Sequence, residues 1–361
     1  MNDVTNAATR ILATLAVAAM ALSPVDSAAA EGYKVIKKDG YAYRVITDGP
    51  WQDRIAWAFD KPKDSSDPTG LLLQHLRAAN DIVWASYKPT HPDIAQVLNT
   101  HPRAYGVYDR NYCGEACEDA FGGNDRVKPV SLGIYKPKSK RKWFVMHHKF
   151  AVLNRTTDGP RNKEGVVTGS FNWNTKAAEL NYENLIYIQS RKIADAYWRE
   201  YERINANGTG NPGPVSDGDI TAAFNDAGTA LLVDRISAAK KSIYAAVWSI
   251  SVASAKNPNP VYDALAAAVA RGVVLHLITD GHKAKKRTYD DFDVIGANMP
   301  TKSGHMHHKF MVIDGEQVVS GSFNFVTKSF SGNDENVVGI KSTAMATSFT
   351  NHWRAMLSAV R

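Results

Sequence analysis

Two short stretches of this chain hold residues able to work on a phosphate ester. His147 and Lys149 stand two positions apart, as do His307 and Lys309, so in an extended chain each pair projects to one face and His148 or His308 to the other. An imidazole can attack phosphorus or carry a proton, and an ammonium can hold a phosphoryl oxygen as charge develops on it. Each pair is followed by an amide and a carboxylate at matching spacing: Glu183 lies 11 residues after Asn172, and Glu335 lies 11 after Asn324. The asparagines would hydrogen-bond non-bridging oxygens, the glutamates would orient imidazoles, and Ser170 and Ser322 would add donors as phosphate-binding support. Asp314, five residues beyond Lys309, joins the catalytic set, whereas Asn154 stands at that place after Lys149. Two such sets would put a histidine on either side of one phosphate. One would attack in line while the other protonates the leaving oxygen, and water activated by the second would then hydrolyse the phosphohistidine. Side chains supply the positive charge, so neither a metal nor a cofactor is expected.

A lone His-x-Lys is ordinarily a pair of surface residues on a strand, and the weight here comes from repetition. The block Met146-His147-His148-Lys149-Phe150 matches Met306-His307-His308-Lys309-Phe310 at an offset of 160, and residues 166–172 match 318–324 at an offset of 152. The eight-residue difference falls in the polar stretch from Asn154 to Lys163, the kind of loop that tolerates insertion. The chain is therefore a duplication. Residues 206–217, rich in Gly, Pro and Asn, read as a linker between an N-terminal domain over 31–205 and a C-terminal domain over 218–361.

Helical apolar spacing at Leu71 to Ala79, Leu231 to Lys241 and Val261 to Arg271 alternates with strand-like runs at Ile82 to Tyr87, Ile243 to Ile250, Phe150 to Leu153 and Phe310 to Ile313. Each half should close with a helix, over 193–204 and 344–360. Such alternation implies a sheet covered by helices, an α/β layer structure in each half. Trp173 and Phe325, just past the Asn of each set, read as core residues, and His148 and His308 as packing or structural ones.

The chain has 361 residues, 44% hydrophobic and 22% charged, which excludes a disordered or fibrous protein. Its net charge of +7 favours anionic partners such as nucleic acid or acidic phospholipid head groups. Residues 1–30 carry Arg10, an apolar run over 11–22 and a small-residue stretch ending in Ala28-Ala29-Ala30, the pattern of a signal peptide. A secreted or periplasmic protein is expected, and in that oxidising setting Cys113 and Cys117 would pair in a short local disulfide.

The strings MHHKF, GSFN and the trailing Glu-Asn resemble the phospholipase D superfamily, whose signature is His-x-Lys-x4-Asp followed by Gly-Ser and Asn. The second copy fits completely, from His307 and Lys309 to Asp314; the first departs at Asn154. The resemblance implies a duplicated phospholipase D-like fold, two α/β/α sandwich halves with mixed central sheets, and one shared active site at their interface. It also implies that His147 is the nucleophile and His307 the general acid, although the residues by themselves permit the reverse. In that family the Asp is part of the supporting framework.

Two basic runs precede the paired motifs: Lys136, Lys138, Lys140, Arg141 and Lys142 before His147, and Lys283, Lys285, Lys286 and Arg287 before His307. Placed beside the two catalytic strands, they would flank one cleft and track a phosphate backbone. The tails after GSFN also look like the bacterial endonuclease branch of the superfamily, in which single-motif subunits dimerise; here the pair would be fused into a monomer acting as a pseudo-dimer. A metal-independent nuclease is the favoured expectation. The alternative is a secreted phospholipase D that hydrolyses or transfers a lipid head group at a membrane surface.

Overall fold

The computed structural model describes residues 32–60, 66–132, 144–155, 163–208, 212–283, 291–292, 294–297 and 304–360. The stretch 1–30, the basic residues Lys136, Lys138, Lys140, Arg141 and Lys142, and Lys285, Lys286 and Arg287 lie outside them. No helix among the described residues is long and apolar enough to cross a membrane.

Two mixed sheets form the frame. The first carries nine strands: β1 (Tyr33–Lys38), β2 (Tyr41–Ile46), β3 (Ile55–Phe59), β4 (Ile82–Ser86), β5 (Ala104–Asp109), β6 (Val127–Val130), β7 (Lys149–Leu153), β8 (Gly165–Gly169) and β9 (Asn184–Ile188). Their spatial order is β1-β2-β3-β9-β8-β7-β4-β5-β6. The second carries eight: β10 (Val215–Asp217), β11 (Ile220–Phe224), β12 (Ser242–Val247), β13 (Val274–Asp280), β14 (Val294–Ala297), β15 (Lys309–Ile313), β16 (Gln317–Gly321) and β17 (Asn336–Lys341), in the order β10-β11-β17-β16-β15-β12-β13-β14. From β2 and β10 onward the orders are the same, and in both sheets the three strands at the far end are parallel and the others antiparallel. The duplication seen in the sequence is thus a duplication of topology. One expectation is corrected: residues 215–217, read as linker, form β10 and pair with β11, because Ser216 and Thr221 continue the ladder and their hydroxyls meet at 3.0 Å.

Helices over Pro68–Ala78 (α1), Pro92–Thr100 (α2), Arg110–Cys113 (α3) and Glu115–Phe121 (α4) cover the outer face of the first sheet. Cys113 and Cys117 form a disulfide between α3 and α4. The helices Asn225–Ala238 and Pro260–Ala270 cover the second sheet in the same way. Pro68 and Pro260 open their helices, after Asp67 and Asn259, whose side chains accept the backbone N–H of Thr69 and Tyr262; proline costs nothing there, since its missing N–H would be unpaired anyway. The inner faces share one core, in which Trp57, Phe150 and Tyr197 of the first half meet Phe224, Phe310 and Trp353 of the second. The closing helices Arg191–Asn205 and Thr343–Val360 lie within it. Trp173 and Phe325 are buried in the two outer cores.

Reciprocal polar contacts seal the two sheets together. Thr168 donates to Asn336 Oδ1 at 2.7 Å, and the equivalent Ser320 donates to Asn184 Oδ1 at 2.9 Å. The same two asparagines meet His148 and His308 of the opposite half at 3.0 and 3.2 Å. Both histidines are fully buried, facing away from the site as the alternation of the strand requires.

Candidate active site

The halves exchange backbone hydrogen bonds where their motif segments meet. His147 N–H donates to the Asp334 carbonyl at 2.9 Å and Asp334 N–H to that of Val145 at 3.0 Å; by pseudo-symmetry Tyr182 N–H donates to His305 at 2.9 Å and His307 N–H to Tyr182 at 3.0 Å. This exchange brings each glutamate to the histidine of the other half. Nδ1 of His147 lies 2.9 Å from Oε2 of Glu335, and Nδ1 of His307 lies 2.7 Å from Oε1 of Glu183. A partner at Nδ1 fixes the tautomer and leaves Nε2 as the reactive nitrogen. Lys149 and Lys309 fold back on their own motifs, each donating to the carbonyl of the histidine two residues before it, and Nζ of Lys309 also lies 3.1 Å from both ring nitrogens of His307.

Glycine makes this local geometry. A Cβ on Gly169 would stand 2.3 Å from the Asn184 carbonyl oxygen, and one on Gly321 would stand 2.2 Å from that of Asn336. Only glycine permits that approach, which lets Ser170 and Phe171 N–H reach the Asn184 carbonyl and turns the chain so that Asn172 faces the cavity. The serines consequently point inward. Ser322 donates to Glu335 Oε2 at 2.5 Å and accepts Asn336 N–H at 3.0 Å, and Ser170 accepts Asn184 N–H at 3.0 Å. Both are fully buried and neither lines the cavity, so their expected role as phosphate ligands is corrected to support of the glutamate loops.

Asp314, read in the sequence with the catalytic set, sits in the turn after β15, away from the cavity, and accepts the backbone N–H of Lys240, Lys241 and Ser242 at 2.9, 2.7 and 3.0 Å. Asn154 takes the equivalent position and accepts Asn80 N–H at 2.8 Å. Both adopt left-handed backbone, φ 55° and 60°, a conformation Asn and Asp tolerate best among residues with a Cβ. They hold the frame and touch no reacting atom.

A cavity of about 620 Å³ opens onto the centre and is lined by His147, His307, Asn172 and Asn324, with Tyr87 and Trp248 as aromatic walls. The side-chain oxygens of Asn172 and Asn324 are buried and have no hydrogen-bond partner among the described residues. The Tyr87 ring lies 5.0 Å from that of His147, and the Trp248 ring 5.2 Å from that of His307. Sequence reasoning missed these walls and four further supports. Asn181 and Asn333 donate to Glu183 and Glu335 at 3.3 and 3.1 Å while accepting His305 and Val145 N–H across the interface at 3.1 Å each. Asp109 and Asp280 accept Met146 and Met306 N–H at 2.9 and 3.2 Å. The asparagines were visible in the repeated Asn-x-Glu-Asn; the aspartates, at unequal offsets, were not.

Burial governs the charges. It pulls Lys149 down to about 7, Lys309 to about 8 and His147 to about 4, and His307 well below the usual histidine range, the lysines adding their repulsion to both imidazoles. Burial pushes Glu183 up to about 8. Burial would raise Glu335 as well, but the charge and hydrogen bond of His147, with Lys149 and Ser322, hold it below its usual range. The two carboxyls, equivalent by topology, therefore differ in protonation near neutral pH.

This duplicated mixed-sheet fold, in which the histidine of a His-x-Lys from each half lines one cavity, defines a two-motif phosphodiesterase-type architecture. The chain belongs to the phospholipase D superfamily: the family model described as "Cardiolipin synthase, PLD-like domain" matches residues 13–205 and 232–357. It is 29% identical over 147 residues to mitochondrial cardiolipin hydrolase of Xenopus tropicalis, covering 40% of this chain and 63% of that protein. It is 29% identical over 129 residues to a phospholipase D of Rickettsia prowazekii, covering 35% of this chain and 60% of that protein. Those matches therefore span less than two thirds of each relative. Among solved structures, phosphatidylserine synthase of Haemophilus influenzae has the same fold with a TM-score of 0.57 at 11% identity, over 81% of this chain and 84% of that one.

Proposed function

We propose that this protein is a phosphodiesterase working through a phosphohistidine, and that its substrate is nucleic acid. The observation that carries the reading is the reciprocal pairing of each motif histidine with the glutamate of the other half, His147 with Glu335 and His307 with Glu183, around one cavity. His147 is the nucleophile: neutral, with its Nδ1–H aimed at an ionised Glu335, its Nε2 attacks phosphorus and the bond to the leaving oxygen breaks. The His307–Glu183 pair holds the proton that the leaving oxygen takes, which suits a carboxyl pushed up to about 8 beside an imidazole. In the second step His307 accepts a proton from water as the water oxygen attacks phosphorus, the P–N bond breaks and His147 is restored. Asn172 and Asn324 hold the non-bridging oxygens throughout, and the charges of Lys149 and Lys309, buried beside the histidines, offset the charge that develops on them.

The rim favours nucleic acid. Among the described residues it carries Lys88, Lys176 and Lys328 with Tyr112, and its only aliphatic side chains are Val145 and Val326. Such a rim suits a phosphate backbone and stacked bases. The second reading, hydrolysis of a phospholipid head group, is favoured by the relatives named phospholipase D and cardiolipin hydrolase. The leader-like pattern at 1–30 supports a periplasmic or secreted setting for this activity, and the duplication supports a single chain acting as its own dimer. The test is incubation in EDTA with plasmid DNA and, separately, with phosphatidylcholine and phosphatidylglycerol vesicles, beside His147→Ala and His307→Ala. DNA cleavage by the wild type alone is expected; released head group with intact DNA would replace the nuclease reading by the lipid one.

A further inference from the structure

The two ends of the cavity are unequal. Two residues before His147 stands Val145, and two before His307 stands His305, a third histidine on the cavity wall. Its backbone is pinned on both sides, N–H to Asn181 Oδ1 and carbonyl to Tyr182 N–H. Its Nδ1 lies 3.4 Å from Asp280 Oδ2, and its Nε2 lies 3.2 Å from Nζ of Lys176. An ammonium can only donate, so the neutral ring accepts at Nε2 and carries its proton at Nδ1, on the side of the carboxylate. Nζ of Lys283 sits 4.8 Å from the centre of the Trp248 ring, itself 5.9 Å from His305.

The one carboxylate facing this imidazole among the described residues, Asp280, is fully buried and already accepts the backbone N–H of His282 and Met306. An anion would complete this group. At the opposite end Val145 takes the place of His305, so the described lining there, with Lys88 and Lys328, holds no imidazole besides His147. We propose that Lys176, His305 and Lys283 form a second anion subsite beside the hydrolytic centre, which binds a phosphate neighbouring the scissile one and so fixes the direction in which the substrate lies. On binding, Lys176 turns from Nε2 to the anion, and His305 takes up a proton from solvent and donates it in a hydrogen bond to the same anion. The subsite rests on the reading of the centre as a phosphodiesterase.

The test compares kcat/KM on the dinucleotide TpT and on its 5′- and 3′-phosphorylated forms, pTpT and TpTp. Wild type is expected to gain about tenfold or more from the added phosphate at one end, and less than about threefold at the other. Lys176→Met, on an exposed helix position, and His305→Val, which copies the other half, should each reduce that gain below about threefold, mainly through KM. Equal gains at both ends, no gain, or variants that slow all three substrates alike would overturn the subsite. Bis(4-nitrophenyl) phosphate carries no second anion and monitors the centre: if neither it nor any dinucleotide is cleaved, the phosphodiesterase reading falls by itself. Should dinucleotides stay intact while cardiolipin vesicles are hydrolysed faster than phosphatidylglycerol vesicles in a Lys176-dependent way, the subsite stands with a lipid phosphate in it and the nucleic-acid reading falls.

Discussion

His147 and Glu335, 188 residues apart, are joined by a buried hydrogen bond of 2.9 Å between Nδ1 and Oε2. Neither half holds a complete site, because each imidazole is oriented by a carboxyl that the other half supplies. Glu335→Gln keeps the shape but cannot stabilise an Nδ1–H that gains charge as Nε2 bonds to phosphorus. A fall in kcat of about 10²- to 10³-fold with little change in KM is expected. Because the two residues act as one unit, the Glu335→Gln/His147→Ala double variant should be no slower than His147→Ala; additive losses in single-turnover kinetics would sink the coupling.

Oxyanion binding should take up protons. In the free protein burial depresses Lys309 to about 8, and burial with the charge of Lys309 depresses Lys149 to about 7, and a bound oxyanion raises both. Above pH 8 binding must therefore recruit protons, so affinity for phosphate or tungstate should fall with rising pH, by about tenfold per unit for each proton recruited. Titration calorimetry at pH 8 in two buffers of different ionisation enthalpy measures the uptake directly. An affinity flat between pH 7 and 9 would contradict the charged-lysine account.

Much of this site was legible because duplication compares the chain with itself, and the residues that chemistry needs recur at matching spacing. His147, Lys149, Asn172 and Glu183 recur in register with His307, Lys309, Asn324 and Glu335, and all eight lie at one centre. Direction of pointing was not legible. A serine after glycine can face either side of the sheet, and the close approach of Gly169 and Gly321 to the opposite carbonyls, which turns Ser170 and Ser322 inward, is a tertiary constraint. Asp109 and Asp280 escaped for another reason, since loops of unequal length put them out of step with the repeat. The fate of 206–217 was obscured by composition: Gly and Pro marked a break, but Val215 to Asp217 had an open sheet edge beside β11 to pair with.

A stability gain should accompany the loss of a catalytic lysine. Burial lowers Lys309 from 10.5 to about 8, so the unfolded chain binds more protons between those values and the folded state bears a cost of roughly 3 kcal/mol at pH 7. Lys309→Met keeps the apolar stem and removes the ammonium. Urea unfolding at pH 7 should show a gain of about 1–3 kcal/mol, shrinking as pH rises from 8 toward 10.5, where the lysine is neutral in both states, while activity falls by at least about 10²-fold. A variant less stable than wild type at pH 7 would mean that the ammonium is held by more than the substrate site requires.

The motif aspartate can be tested apart from the chemistry. Asp314 accepts three backbone N–H groups in its turn; burial would raise its carboxyl, but those bonds and the Lys241 charge hold it below the usual aspartate value of 3.8. With the folded-state value depressed, its contribution is present above the unfolded value and lost as pH falls through the folded one. Asp314→Ala strips the acceptors at a left-handed position and should cost about 1–3 kcal/mol at pH 7. Asp314→Asn, the residue the first half uses at Asn154, should cost less than about 1 kcal/mol. With folding maintained at low temperature, both should hydrolyse bis(4-nitrophenyl) phosphate within about threefold of wild type, because the carboxylate sets the turn that aims Lys309 and never meets the substrate. A loss of 10²-fold in well-folded Asp314→Asn would return Asp314 to the reacting groups.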